Sequence, residues 1–155
     1  METLESLLRE VPVFAGLAED QLALVAGCGS NVHIDENAVL FREGDAAEVF
    51  YLIRDGVAAL ETFAPARGAI TIETLEEGEV IGWSWLFPPY RWHFDARAIT
   101  PIRATVFDGS CLRGKCEADP VLGFELMSRF AQVLIERLQW TRLRLLDVYG
   151  DDRPR

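Results

Sequence analysis

The segment from Ile81 to Phe94 concentrates the residues of this chain that could bind a ligand. It reads IGWSWLFPPYRWHF and holds three of the four tryptophans, one of the two histidines and the only Pro-Pro pair. An arginine and a serine could hold an anionic group there, and indole rings could stack on an aromatic one. Clustered aromatic side chains are also common in cores and interfaces, so packing is the competing interpretation. The candidate ligand-binding residues are Gly82, Trp83, Ser84, Trp85, Arg91, Trp92 and His93.

The remaining polar residues form no recognisable catalytic or metal-binding motif. His33 and His93 stand on predicted strands without a nearby ligand partner, so a structural role is expected for both. Asp95 lies two residues from His93 and is expected to form an ordinary surface pair with it. The acidic run at residues 73–79 is expected to be a solvated turn. We therefore predict that the chain is not an enzyme and holds neither a metal nor a cofactor, with a nucleotide or another anionic ligand left open.

The cysteines and the N-terminus give information about the compartment. Cys28, Cys111 and Cys116 are an odd number without a CxxC pair, so neither a disulfide framework nor a zinc site is indicated, and buried or reduced thiols are expected. The opening METLESLLRE has acidic residues where a signal peptide has basic ones. No apolar run approaches the length of a membrane span. These features predict a cytoplasmic protein that does not contact a membrane.

Length and charge set the outer limits. A chain of 155 residues, half of them hydrophobic, predicts a single domain, residues 1–155, with one core. The formal net charge is −10, and the excess of acidic residues lies in residues 1–128, whereas residues 129–155 are slightly basic. Phosphate would be repelled by the acidic part. Any contact with nucleic acid would therefore have to use the C-terminal end.

The periodicity of apolar residues predicts helices, then strands, then a helix. Residues 1–30 are predicted to form two short helices, and residues 31–108 a jelly roll of about eight short strands. The pair Asp55-Gly56 is a strong signal for a tight hairpin. The predicted strands are Val32–Ile34, Val39–Arg42, Val49–Arg54, Val57–Phe63, Ala69–Leu75, Val80–Ile81, His93–Ala98 and Ala104–Phe107. The fold class is therefore mainly β with flanking helices.

Residues 119–149 are predicted to form one long helix, in which Asp119 is a capping residue and Pro120 the first helical position. A heptad seam runs along it at Phe124, Met127, Ala131, Leu134, Leu138, Thr141, Leu145 and Val148. A second apolar stripe at Phe130, Ile135, Leu143 and Leu146 would let the helix bury one side on the roll and another on a partner helix. Two interpretations stay open: a symmetric homodimer, or a single helix lying on its own domain.

The order of these elements, together with particular residues, resembles the cyclic nucleotide-binding domain of the Crp/Fnr regulator superfamily. The resemblance covers nearly the whole chain, and its most specific parts are the FREGD turn, the YLIRDG segment and the spacing from Gly82 to Ala98. The stretches that carry it are LLREVPVFAGLAEDQLALVA at 7–26, VLFREGDAAEVFYLIRDGVAALE at 39–61, GEVIG at 78–82 and LIERLQWTRLRLLD at 134–147. The resemblance implies that Gly82 opens a phosphate-binding cassette, a short helix whose backbone N–H groups face a cyclic phosphate.

The cassette departs from the family pattern at its charged positions. Trp83 occupies the position where the family has a glutamate for the ribose, and Trp92 the position of the phosphate arginine, with Arg91 one residue earlier. His93 and Phe94 would crowd a purine pocket. Three interpretations stay open: ordinary cyclic AMP or cyclic GMP binding, another anionic or aromatic ligand held near Ser84 and Arg91, or a pocket filled by its own aromatic side chains.

The predicted function is a stand-alone, non-enzymatic regulatory or accessory module, homodimeric through its C-terminal helix, that does not bind ordinary cyclic AMP. A protein client or a redox-enzyme complex is the expected partner. The alternative is a genuine cyclic-nucleotide sensor that signals through the same helix. Only five residues follow Gly150, where activators of the superfamily carry a helix-turn-helix domain, so direct sequence-specific DNA binding is not expected.

Overall fold

Two short helices open the fold. The computed structural model describes residues 3–150, and within them α1 spans Leu4–Arg9 and α2 spans Glu19–Ala26. The side-chain oxygen of Thr3 accepts a hydrogen bond from the Ser6 N–H at 3.1 Å, which satisfies one of the free donors at the start of α1. The apolar faces of both helices are buried against the rest of the protein.

Within residues 3–150, eight antiparallel strands form two four-stranded sheets, which together we call the roll. In chain order they are β1 Gly29–Ile34, β2 Val39–Phe41, β3 Val49–Asp55, β4 Ala58–Ala64, β5 Gly68–Leu75, β6 Val80–Ile81, β7 Asp95–Ala98 and β8 Ile102–Asp108. One sheet has the order β1-β8-β3-β6 and the other the order β2-β7-β4-β5. The predicted fold class, a mainly β jelly roll with flanking helices, is confirmed.

The chain changes sheets at Gly56. The hairpin predicted from Asp55-Gly56 is wrong, because β3 and β4 lie in different sheets. Gly56 has φ +105°, and a Cβ on it would lie 2.4 Å from the backbone oxygen of Pro101. The glycine is therefore needed where the chain crosses close to another backbone. The hairpin lies instead between β4 and β5, where Ala64 pairs with Gly68.

Two helices follow the roll. Helix α3, Gly109–Ala118, was not predicted, because its sequence GSCLRGKCEA has two glycines and little apolar periodicity. It forms because the Asp108 carboxylate accepts a hydrogen bond from the Cys111 N–H at 3.0 Å and Leu112 is fully buried. Helix α4 runs from Pro120 to Gly150. No helix in the described part of the chain has the length and apolarity needed to cross a membrane.

Buried side chains form two clusters on either side of the first sheet. The helical-side core includes Leu8, Phe14, Leu22, Phe50, Trp85, Phe107, Leu112, Leu122, Leu126 and Phe130. The roll interior, between the two sheets, includes Phe41, Ile53, Ala58, Leu75, Ile81, Trp92, Ala96, Ala98, Ile102 and Ala104. Strand β3 contributes to both clusters through alternate residues, as the period of a β-strand requires.

Helix α4 packs on the body of the protein with one face, which we call the docked face. Leu122, Leu126 and Phe130 are buried, and Val133 packs at the edge of the same core. These positions follow the 3.6-residue period of the helix. Residues 138–147 are all exposed, and Arg144 Nη1 lies 3.5 Å from the Ile72 oxygen of β5.

Only Phe130 of the second apolar stripe is buried. Ile135, Leu143 and Leu146 are 55%, 53% and 62% exposed, because they lie on the side of α4 that faces away from the core. The part of this stripe beyond Phe130 therefore does not pack on the roll.

Two of the three cysteines are joined, which corrects the expectation of buried or reduced thiols without a disulfide. Cys28 and Cys111 form a disulfide with their Cα atoms 5.7 Å apart. The sequence could not show this, because the two residues are 83 positions apart and meet only through the pairing of β1 with β8. Cys116 is a free, half-buried thiol.

Candidate functional site

The segment between β6 and β7 folds as two successive turns. The first closes with a hydrogen bond from the Leu86 N–H to the Trp83 oxygen at 3.1 Å, and the second with one from the Tyr90 N–H to the Phe87 oxygen at 2.9 Å. The Pro88-Pro89 bond is cis. The short cassette helix implied by the resemblance is absent between residues 82 and 94. Two consecutive prolines remove two N–H donors and disfavour a helix before them, which explains the difference.

Trp92 fills the roll interior beside Gly82. Its side chain is 5% exposed and stacks on Phe41, with ring centroids 3.7 Å apart and planes 8° from parallel. A Cβ on Gly82 would lie 2.6 Å from the edge of the indole. The backbone of Trp92 donates to the Asp45 oxygen at 3.0 Å and accepts from the Gly44 N–H at 2.8 Å. These two bonds to one neighbouring segment fix the direction of the indole.

Arg91 points the other way. Its backbone forms a bridge with Ala46, and its Nη1 donates to the Gly44 oxygen at 3.1 Å on the surface. Adjacent residues of an extended segment face opposite sides, so Arg91 lies outside the roll when Trp92 lies inside. His93 is exposed as well. The side chains of Arg91 and His93 are therefore on the surface, and only that of Trp92 enters the roll interior.

Trp83 and Trp85 face the helices. Trp85 is fully buried in the helical-side core, stacks on Phe50 at 4.5 Å and donates from Nε1 to the Gly82 oxygen at 3.1 Å. Trp83 meets Phe130 of α4 edge to face at 5.2 Å. Its Nε1 is a buried donor without an acceptor among residues 3–150. Ser84, between the two indoles, is half-buried.

Arg137 of α4 is a member of this site that the sequence did not reveal. Its Nη2 donates to the Val80 oxygen at 2.6 Å, lies 3.8 Å from a carboxylate oxygen of Glu79, and its guanidinium sits 5.8 Å from the Trp83 ring. Burial lowers the pKa of Arg137, while the charges of Glu73 and Glu79 act in the opposite direction. The available signal was its position seven residues after Phe130, on the docked face of α4.

Asp95 and His33 have separate neighbours. Asp95 accepts a hydrogen bond from the Glu43 N–H at 2.7 Å. It thus binds a backbone group, whereas a surface pair with His93 was expected. His33 lies 3.8 Å from Asp35 on the surface. Within residues 3–150, no group of three His, Cys, Asp or Glu side chains could hold a metal ion.

The best-formed ion pair also lies outside the roll interior. Arg97 donates from Nε and Nη2 to the two carboxylate oxygens of Glu61, at 2.9 and 3.2 Å, and from Nη1 to the Asn37 side chain at 3.1 Å. The hydrogen bonds and charge of Glu61 raise the pKa of Arg97. Asn37 has φ +68°, a conformation that asparagine tolerates well. This pair ties β4, β7 and the β1–β2 turn together.

Known proteins share this fold. The family model described as the cyclic nucleotide-binding domain matches residues 31–119. The chain belongs to this family. Its homologues include regulatory proteins that carry this domain.

Two characterised relatives illustrate the range of the family. The chain is 31% identical over 104 residues to the cAMP-dependent protein kinase regulatory subunit of Schizosaccharomyces pombe, covering 67% of this chain and 24% of that protein. It is 23% identical over 151 residues to a CRP-like cAMP-activated global transcriptional regulator of Mycobacterium tuberculosis, covering 97% of this chain and 66% of that protein. The chain thus spans about a quarter of the first relative and about two thirds of the second.

Solved structures agree on the fold. A putative cyclic nucleotide-binding protein from Geobacter metallireducens GS-15 aligns with 89% of this chain and 99% of its own, with a TM-score of 0.78 and 29% identity. A cyclic nucleotide-binding domain from Methylobacillus flagellatus KT aligns with 93% of this chain and 81% of its own, with a TM-score of 0.79 and 19% identity. The second likeness shows the fold alone.

Proposed function

We propose that this cyclic nucleotide-binding domain is a regulatory or accessory module that acts through protein contacts on α4 and binds neither cyclic AMP nor cyclic GMP in its roll. The observation that carries the proposal is the position of Trp92. Its indole lies in the roll interior, stacked on Phe41 and touching Gly82. A ligand in this space would have to displace an aromatic side chain that is 5% exposed, which would forfeit its packing contacts.

The chemistry needed to hold a cyclic nucleotide is also missing from the expected positions. Trp83 stands where the family pattern has a ribose-binding glutamate, and its ring packs on Phe130. Arg91, the nearest arginine in sequence to the phosphate position, is turned to the surface. A buried phosphate requires a positively charged hydrogen-bond donor. Without one, its removal from water costs on the order of several kcal/mol, as for other buried ions.

Titration of the purified protein with cyclic AMP and cyclic GMP tests the proposal, with isothermal calorimetry and tryptophan fluorescence as readouts. We expect no saturable heat and no change in fluorescence. A cAMP-activated regulator of the same family, titrated in the same buffer, is the positive control. Saturable binding of either nucleotide at one site per chain would overturn the proposal.

Trp92→Ala is the matched variant for this titration. Removing the indole opens the roll interior, and binding of cyclic nucleotide to the variant alone would show that Trp92 is what excludes it. Ile72→Ala is a control, because Ile72 is an exposed apolar residue on the edge strand β5, outside the roll interior. It is expected to behave like the unsubstituted protein.

The alternative function is a genuine cyclic-nucleotide sensor. One observation favours it: the β6–β7 segment touches α4 directly, because Trp83 packs on Phe130 and lies beneath the guanidinium of Arg137. Any rearrangement of the segment would therefore change the contacts of α4. The same titration separates the two functions, because a sensor must bind its nucleotide.

We also propose that α4 forms a symmetric homodimer. Among the seam residues up to Leu145, Phe124 is 76% exposed, Leu138 50% and Leu145 51%, and Ala131 and Thr141 are exposed as well. The side chain of Val148 lies outside the described part of the chain. Leu134 is half-buried at the edge of the docked face. A heptad seam of this kind is buried when two helices pair. A further face of the assembly would then be available to a protein client, such as a redox-enzyme complex.

A further inference from the structure

The Cys28–Cys111 disulfide joins two parts of the protein that the chain keeps far apart. Cys28 lies between α2 and β1, and Cys111 in the first turn of α3. We propose that this disulfide is a reversible redox lock that fixes the start of α3 to the roll. Its reduction would loosen α3 and leave the rest of the domain folded.

The fold brings these two cysteines together without help from the bond. Gly29 pairs with Phe107 at the end of the β1–β8 ladder, and the Asp108 N–H donates to the Cys28 oxygen at 2.9 Å. The Cα separation of 5.7 Å is in the usual range for a disulfide. The thiols of the reduced protein would therefore remain neighbours, so that the bond could form again.

Helix α3 has a low intrinsic tendency to be helical at its start and in its middle. Its first turn contains Gly109 and Ser110, and its middle contains Gly114, all residues with low helix propensity. The helix also connects the last strand of the roll to α4, with Asp119 as the single intervening residue. Loosening of its first turn would therefore affect the segment from which α4 starts.

Other contacts hold α3 in place once the bond is broken. Leu112 is fully buried, Lys115 Nζ donates to the Leu24 oxygen at 2.7 Å, and the Gly109 N–H donates to the Glu48 oxygen at 2.8 Å. Arg113 also donates to the Trp85 oxygen. Reduction is therefore expected to raise local mobility without global unfolding.

A dithiol reductant can carry out the exchange at Cys111, which is half-buried, whereas Cys28 is only 7% exposed. One reductant thiolate attacks Cys111 Sγ and releases the Cys28 thiolate, which takes up a proton. The second reductant thiol then displaces Cys111 as a thiol and leaves the reductant as a disulfide. Oxidised glutathione reverses the process and is itself reduced to two thiols.

Cys116 provides a built-in control on the same helix. It lies on the side of α3 that faces α4, where a Cβ on Gly123 would lie 2.9 Å from its backbone oxygen. Burial, with the nearby Asp119 and Glu117, raises the pKa of its thiol. A raised pKa lowers the thiolate fraction of Cys116 and so slows its exchange relative to an ordinary thiol.

The test equilibrates the folded protein in glutathione buffers of increasing oxidised fraction, then traps the thiols with an alkylating agent and counts them by mass spectrometry. We expect Cys28 and Cys111 to gain and lose two labels together and reversibly. Reduction should lower the melting temperature by about 10 °C, because an 83-residue loop is no longer closed. Hydrogen exchange in the first turn of α3 should rise about tenfold or more while the β4–β5 hairpin stays unchanged.

Variants separate the lock from a purely structural bond. Cys111→Ser should reproduce the exchange pattern of the reduced protein in every buffer, whereas Cys116→Ser should keep the full redox response. Reduction that occurs only after denaturation would overturn the proposal. So would free thiols at Cys28 and Cys111 in fully oxidised buffer, or reduction that leaves exchange in α3 unchanged.

Discussion

Trp92 and Gly82 form a complementary pair in the roll interior. Gly82 has φ +99°, a conformation that side chains with a Cβ rarely adopt, and the space a Cβ would take is already occupied by the Trp92 ring. Gly82, which the family pattern places beside a phosphate, therefore leaves the space that the Trp92 indole occupies.

Gly82→Ala is expected to lower the free energy of unfolding by about 3 kcal/mol, from the strained backbone and the overlap with the indole together. Gly44→Ala is the matched control. Gly44 has φ +90°, but nothing lies within 4 Å of a Cβ placed on it, so about 1 kcal/mol is expected. Denaturant unfolding followed by circular dichroism measures both values. Equal losses would show that the indole does not press against Gly82.

The types of the site residues could be found from the sequence, but not the directions of their side chains. The one-residue offset between Arg91 and Trp92 was visible, and it raised the question of which residue faces the roll interior. The answer depends on the bridge between Ala46 and Arg91 and on bonds from Trp92 to the backbone at residues 44 and 45. Those contacts join segments nearly fifty residues apart and leave no local pattern.

Helix α4 shows how periodicity predicts one face of a helix and misses part of another. The heptad seam could be read directly from the spacing of its apolar residues. The apolar part of the docked face, at Leu122, Leu126 and Phe130, also follows helical spacing. Its continuation could not be read, because this face goes on to Arg137, a charged residue whose guanidinium reaches the Val80 oxygen. Helix α3 was missed for a related reason, since a capping bond and one buried leucine hold it in place of an apolar stripe.

Leu138→Glu tests whether the seam of α4 forms the homodimer. Sedimentation velocity of the unsubstituted protein should show a dimer, and the variant should weaken it by at least about 100-fold, because two buried carboxylates would face each other across the seam. Gln139→Glu adds the same charge one residue along, outside the heptad seam, and should leave the dimer intact. Both positions are exposed in the single chain, so the melting temperature of the monomer should not change. A monomer at all concentrations of the unsubstituted protein would contradict the proposal.

At the scale of the whole molecule, the body is acidic and the exposed end of the long helix carries basic residues. The net charge is −10, while the exposed end of α4 carries Arg142 and Arg144. The strand pattern and the fold class could be predicted, because the alternation of apolar and polar residues in a short strand shows which of its sides is buried. The disulfide and the crossing at Gly56 could not, because both depend on which strands become neighbours.

The charge distribution predicts weak binding to nucleic acid. In about 150 mM salt we expect a dissociation constant weaker than about 100 µM for a 20-base-pair duplex, because the acidic body repels phosphate. Fluorescence anisotropy of a labelled duplex measures it. Arg142→Glu should leave the signal unchanged, and sequence-dependent binding in the micromolar range would refute the expectation.

The indole of Trp92 also bears on how the abundance of this protein would be set in a cell. A domain whose roll is completed by a metabolite gains stability as the metabolite accumulates, by an amount that grows with the logarithm of its concentration. Here the chain itself supplies the group that completes the roll. Under the proposed function, its resistance to proteolysis would therefore not follow the concentration of cyclic nucleotides.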